Sequence, residues 1–156
     1  MKKIVTSIFI ISAIALSSFA QAREITLTTQ MQNYSGDGAY LAIYLTDAEG
    51  NYHKTLWVAG KKAKYYKHLR DWARGSALKA SEYDGMSGAS IAKGTTFKTT
   101  VQLDDALIDA GYEIRVDTAV EDKRDVPVEV RVPLTAANAG KATAGRGYIK
   151  TFTYAM

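Results

Sequence analysis

The side chains best suited to covalent chemistry sit together in one short stretch, Asp84-Gly85-Met86-Ser87-Gly88-Ala89-Ser90. It offers two hydroxyls three residues apart, an acid ahead of them, and Gly88 and Ala89 between, which let another backbone come close. Such a stretch is either a flexible turn or a place where one of the hydroxyls is modified. Elsewhere the chemistry is sparse. His53 and His68 lie on different predicted elements, too few for a convincing metal site, and no spacing aligns either with a nucleophile as a Ser-His-Asp site requires. No glycine-rich phosphate loop of either standard spacing occurs, and Met1, Met31, Met86 and Met156 are too scattered for a copper site. The absence of cysteine excludes disulfides, thiol redox pairs and thioether haem attachment. These residues therefore give little support to classical enzyme chemistry.

Just upstream of the hydroxyls the charge is uneven. Lys61, Lys62, Lys64, Lys67, Arg70 and Arg74 face a single acid, Asp71, within one segment. Tyr65, Tyr66, Leu69, Trp72 and Ala73 recur there at helical spacing, with Lys64, Lys67, Asp71 and Arg74 on the other face. That spacing predicts an amphipathic helix of about four turns over 61–74, broken by Gly60 before it and Gly75 after it. His68 falls on the solvated side. The segment 76–94, which holds the two serines, is then a long loop, and loops of that length in a compact domain are usually functional or disordered.

The frame around these segments alternates with period two. Ile25–Thr29, Tyr40–Leu45, His53–Val58, Thr96–Leu103, Tyr112–Thr118, Val126–Val132 and Tyr148–Tyr154 read as strands separated by turn residues. Pro127 and Pro133 bracket one of them and predict an edge position. Seven such strands indicate a mainly β protein, an immunoglobulin-like β-sandwich with one inserted amphipathic helix. A basic start, a short apolar run from Ile4 to Leu16 and an Ala20-Gln21-Ala22 end predict a cleaved secretory signal peptide, 1–22, and a single domain over 23–156. The apolar run is shorter than the roughly 20 residues that span a membrane, so the mature protein is expected in the periplasm and not as a spanning protein. Loss of Lys2 and Lys3 with the signal lowers the formal net charge from +4 to +2, which does not suggest a nucleic-acid binder.

The stretch Asp84 to Ser90 matches Asp-x-x-Ser/Thr-Gly-Ala-Ser/Thr and resembles the recognition motif of proteins that carry covalent FMN. Five constrained positions match by chance in roughly one in a thousand chains of this length. The resemblance implies that a flavin transferase takes FMN from FAD and links its phosphate to the last hydroxyl, here Ser90, with Asp84, Ser87, Gly88 and Ala89 as the recognition signal. In such motifs the acceptor is more often Thr. The run from Trp57 to Lys62, the segment Leu69 to Trp72 and the motif together resemble the predicted periplasmic domain-of-unknown-function family 2271, over nearly the whole mature chain. That family is described as similar to the immunoglobulin-like part of the flagellar hook-capping protein, and it tends to occur beside PepSY-type membrane proteins and flavin transferases. The resemblance implies a flavinylated carrier that relays electrons between a membrane reductase and an envelope acceptor, with a link to iron reduction or uptake. Under it, Lys61, Lys62 and Lys64 neutralise the phosphodiester and Trp57, Tyr65 or Trp72 stacks on the ring. Equally, the aromatics pack the helix on the sandwich and the lysines face water, which suits Trp72 better. A non-redox immunoglobulin-like adaptor of an envelope complex is the alternative from another class.

Overall fold

The computed structural model describes residues 21–156. Nearly all of the expected signal peptide therefore lies outside the described residues. Among the described residues nine strands form: β1 Ala22–Met31, β2 Tyr40–Thr46, β3 Tyr52–Ala59, β4 Ser87–Gly88, β5 Thr96–Asp104, β6 Glu113–Ala119, β7 Val126–Pro133, β8 Thr143–Ala144 and β9 Ile149–Ala155. They make two sheets, β5-β1-β9-β8 and β4-β3-β2-β6-β7, and the protein is a β-sandwich. All seven strands read from the sequence are present; β4 and β8 are two-residue additions at the sheet edges. β7 is an edge strand, as its two prolines require.

Period-two alternation builds the space between the sheets. Ile25, Leu27, Leu103, Phe152 and Tyr154 from one sheet meet Leu41, Ile43, Leu45, Ile114 and Val116 from the other in one buried cluster. β2 departs from simple alternation because it is buried on both faces. Its outward residues Ala42 and Tyr44 join Val58, Tyr66, Leu69, Trp72 and Ala119 in a second cluster, where the segment after β3 crosses the outer face of the five-stranded sheet.

That segment differs from the single helix expected over 61–74. It is a 3-10 turn, Ala63–His68, followed by a short α-helix, α1, Arg70–Ser76, with Leu69 between them in a non-helical conformation (φ −83°, ψ 74°). The cause lies in β6. One carboxylate oxygen of Asp117 accepts the backbone N–H groups of Asp71 (2.7 Å) and Trp72 (2.9 Å), so a remote side chain satisfies the first-turn donors and starts a new helix there. Gly75 also differs from its expected place as a terminator. It lies within α1, where a Cβ would overlap the Tyr52 side chain.

The long loop is also more ordered than its length suggested. A 3-10 turn at Ala80–Glu82 is tied down by the Tyr52 hydroxyl, which donates to Glu82 at 2.6 Å, and β4 pairs in parallel with the edge of β3. Beyond it, Ile91 forms an antiparallel bridge with Ala39.

Candidate functional site

The hydroxyl loop is held from three directions. Val58 N–H donates to the Met86 carbonyl (2.9 Å) and Gly60 N–H to that of Gly88 (2.8 Å), fixing Ser87 and Gly88 against β3. Gly88 rests on the Trp57 ring, which a Cβ there would approach to 3.0 Å. Ala39 and Ile91 exchange backbone hydrogen bonds of 2.8 and 2.9 Å, anchoring the far end of the loop.

These anchors distinguish the two serines. The Ser87 hydroxyl lies beside the Tyr66 phenol, whose own O–H donates to the Gly60 carbonyl at 2.7 Å. Burial pushes that phenol above its ordinary range, while the Ser87 contact opposes the shift. Ser90 is exposed and lies beside Gly38, where a Cβ would sit 2.9 Å from Oγ and 3.3 Å from the Ile91 carbonyl. A glycine at 38 thus keeps open the space next to the Ser90 oxygen. Ala89 and Asp84 are exposed, Asp84 on a turn whose N–H donates to the Ala80 carbonyl.

The remaining expected site residues fall into two groups. Lys61, Lys62 and Lys64 are exposed and leave the sheet directly after Gly60, so their backbone adjoins the loop at Gly88; Lys64 Nζ lies 4.9 Å from the centre of the Tyr65 ring. Trp57 is half-buried, paired in register with Ile43, and packs against Phe97 with ring centres 5.9 Å apart. It supports the loop from the core side, and its indole N–H is buried without a partner among the described residues. Trp72 is fully buried and donates its indole N–H to Thr55 at 2.8 Å, so it belongs to the packing of the segment on the sheet.

Two buried carboxylates were not singled out from the sequence. Asp117, with no exposed surface, accepts from Asp71 and Trp72 on one oxygen and from Val128 N–H (2.8 Å) and the Tyr44 hydroxyl (3.0 Å) on the other. Glu129, 2 % exposed, accepts from the Thr118 hydroxyl and from the backbone N–H groups of Gly147 and Ile149, fixing the turn into β9. Burial raises both carboxyls above the ordinary range, and the donated hydrogen bonds pull them part of the way back. Neither acid stands out in its strand, since Glu113 and Arg115 accompany Asp117 in β6 and Arg131 accompanies Glu129 in β7. The donors they serve are distant in sequence, so their structural role was not visible.

A cleft of about 210 Å³ opens beside the segment, lined by Tyr40, Tyr65 and His68 and, around the β6–β7 turn, by Ala119 to Lys123 and Asp125. His68, expected at the solvated face, keeps 45 % of its side chain exposed and also reaches across to Asp125, its Nδ1 3.3 Å from the carboxylate, beside Arg70 at 2.8 Å. The side chains of this cleft come from three separated stretches of chain.

Fold and loop together define a small two-sheet β-sandwich with a hydroxyl-bearing loop pinned to one sheet edge. The chain belongs to the family described as predicted periplasmic protein (DUF2271), whose family model matches residues 22–151. Membership agrees with the periplasmic localisation expected from the sequence, and no helix among the described residues is long and apolar enough to cross a membrane. No curated protein and no solved structure matches the chain.

Proposed function

We propose that this protein is a periplasmic electron carrier bearing FMN on Ser90. The observation that carries this reading is the open position of the Ser90 hydroxyl, exposed at the end of a pinned loop with Gly38 leaving space beside it. A transferase can engage such a loop without unfolding the domain, since its anchors lie on the backbone of β3 and at Ala39. In the attachment step the Ser90 oxygen attacks the FMN-side phosphorus of FAD in the transferase. A new O–P bond forms, the pyrophosphate P–O bond breaks, AMP leaves, and the hydroxyl proton passes to a base of the transferase. The bound flavin supplies reversible electron uptake, and the chain supplies exposure and electrostatics. Lys61, Lys62 and Lys64 give the phosphodiester a positive surrounding, Trp57 supports Gly88, and Asp84, Ser87, Gly88 and Ala89 form the signal the transferase reads. The partners are a flavin transferase and a PepSY-type membrane protein, with electrons relayed between a membrane reductase and an envelope acceptor in iron reduction or uptake. We further propose that the sandwich is of immunoglobulin-like type, a reading supported by its seven principal strands divided three and four between the sheets.

Co-expression with a flavin transferase tests the reading. Intact mass should increase by one FMN-phosphoryl group, in-gel fluorescence should follow it, Ser90→Ala should abolish both and Ser90→Thr should retain them. An unmodified wild type, or an adduct that survives Ser90→Ala, would sink the assignment. The adaptor reading rests on a different observation: β5, nine residues long, is hydrogen-bonded on one side only and offers an edge for strand addition.

A further inference from the structure

We infer that the cleft between Tyr65 and the β6–β7 turn is the seat of the isoalloxazine ring carried by Ser90. This deepens the proposed function and rests on it. Side-chain direction is the first reason. Ala39 and Ile91 bridge one another, and both side chains point into the core between the sheets. Alternation then turns their neighbours Gly38, Tyr40 and Ser90 to the outer face of the five-stranded sheet. The closeness of a Gly38 Cβ position to Ser90 Oγ agrees with that assignment. Tyr40 packs on the same face against Tyr65, with ring centres 5.7 Å apart at 76°, and both rings line the cleft. The Ser90 hydroxyl and the cleft therefore lie on the same face of the sheet, the face on which Tyr40 packs.

Shape and chemistry fit one planar ring. About 210 Å³ is below the roughly 300 Å³ at which pockets begin to enclose a whole drug-sized ligand. One end of a ligand enters, and the remainder stays in solvent as a tether. Tyr40 is a fixed wall, because its ring lies directly over Gly60, where any Cβ would overlap it. Tyr65 is half-exposed, with Lys64 Nζ 4.9 Å from its ring centre, so a planar ligand there would exchange places with the ammonium group. The buried Val120 and Ala119 give an apolar floor, while His68, Lys123 and Asp125 supply polar groups at the rim for the carbonyl and N–H edge of a pyrimidine-like ring. Trp57, the other aromatic near the loop, packs toward Phe97 on the side between the sheets and does not line this cleft.

The test uses the full mature protein, modified by a flavin transferase and compared with its unmodified form. A tyrosine in contact with isoalloxazine quenches its emission, so emission per flavin should be severalfold below that of free FMN. Tyr65→Leu should raise it, with Tyr40 still in place, while intact mass still shows the adduct. Backbone amide shifts of Val120, Glu121 and Lys123 in the wild type should change on modification, a readout that needs no variant to fold. An adduct on Ser90 that emits like free FMN and leaves those amides unmoved overturns the seat and leaves the flavin assignment standing. A missing mass increment overturns both.

Discussion

Gly38 and Ser90 form the smallest unit on which the proposed chemistry depends. They lie far apart in sequence, yet a single methyl group at 38 would occupy the space beside the Ser90 oxygen. Gly38→Val should therefore lower the fraction of protein modified by a transferase, measured by intact mass, while Gly38→Ser, with a smaller side chain, should lower it less. Equal modification of all three proteins would show that the space is irrelevant. Glu129 belongs to the same scale but acts on stability. Burial raises its carboxyl above the unfolded value, so the folded protein binds this proton more tightly than the unfolded chain does. Stability from this group is then greatest below the ordinary carboxylate range near about 4, and falls as pH rises through the raised folded value. Glu129→Gln, which resembles the protonated form, removes that dependence. Its destabilisation relative to wild type should shrink from acid to neutral pH in urea titrations, and a gap that widens would reverse the sign.

The covering segment owes its shape to Asp117 more than to its own periodicity. The amphipathic pattern correctly marked Tyr66, Leu69 and Trp72 as the buried face. It could not show that a carboxylate from β6 would restart the helix at Arg70, since that depends on a residue more than forty positions away. Asp117→Ala leaves three backbone N–H groups and the Tyr44 hydroxyl without an acceptor in a buried site. The expected cost is about 3 kcal/mol or more by chemical denaturation, and Asp117→Asn, which keeps one acceptor oxygen, should cost less. A loss below about 0.5 kcal/mol for the alanine variant would mean that water replaces the carboxylate.

For the molecule as a whole, the strands were legible because most have one buried face, which leaves a period-two imprint, while β2, buried on both faces, was legible as an apolar run. The hydroxyl loop was legible as composition, since its small residues stand out around Ser87 and Ser90. What stayed hidden was contact across the chain: the parallel pairing of Ser87 with Val58, the bridge from Ala39 to Ile91, and the meeting of Tyr40, Tyr65 and Lys123 around one cleft. Such contacts are fixed by how the loop and the covering segment pack on the sheet, and no local pattern records them.

Asp117 also has a consequence in time. Its two oxygens join the start of α1, the middle of β2 and the beginning of β7, so none of these can open without breaking a buried hydrogen bond in another. The amides of Asp71, Trp72 and Val128 should therefore exchange with solvent deuterium at a single free energy of opening, near that of global unfolding. The segment beneath the lysines would then move with the sheet as one body; separate opening energies for Asp71 and Val128 would show instead that it lifts off alone.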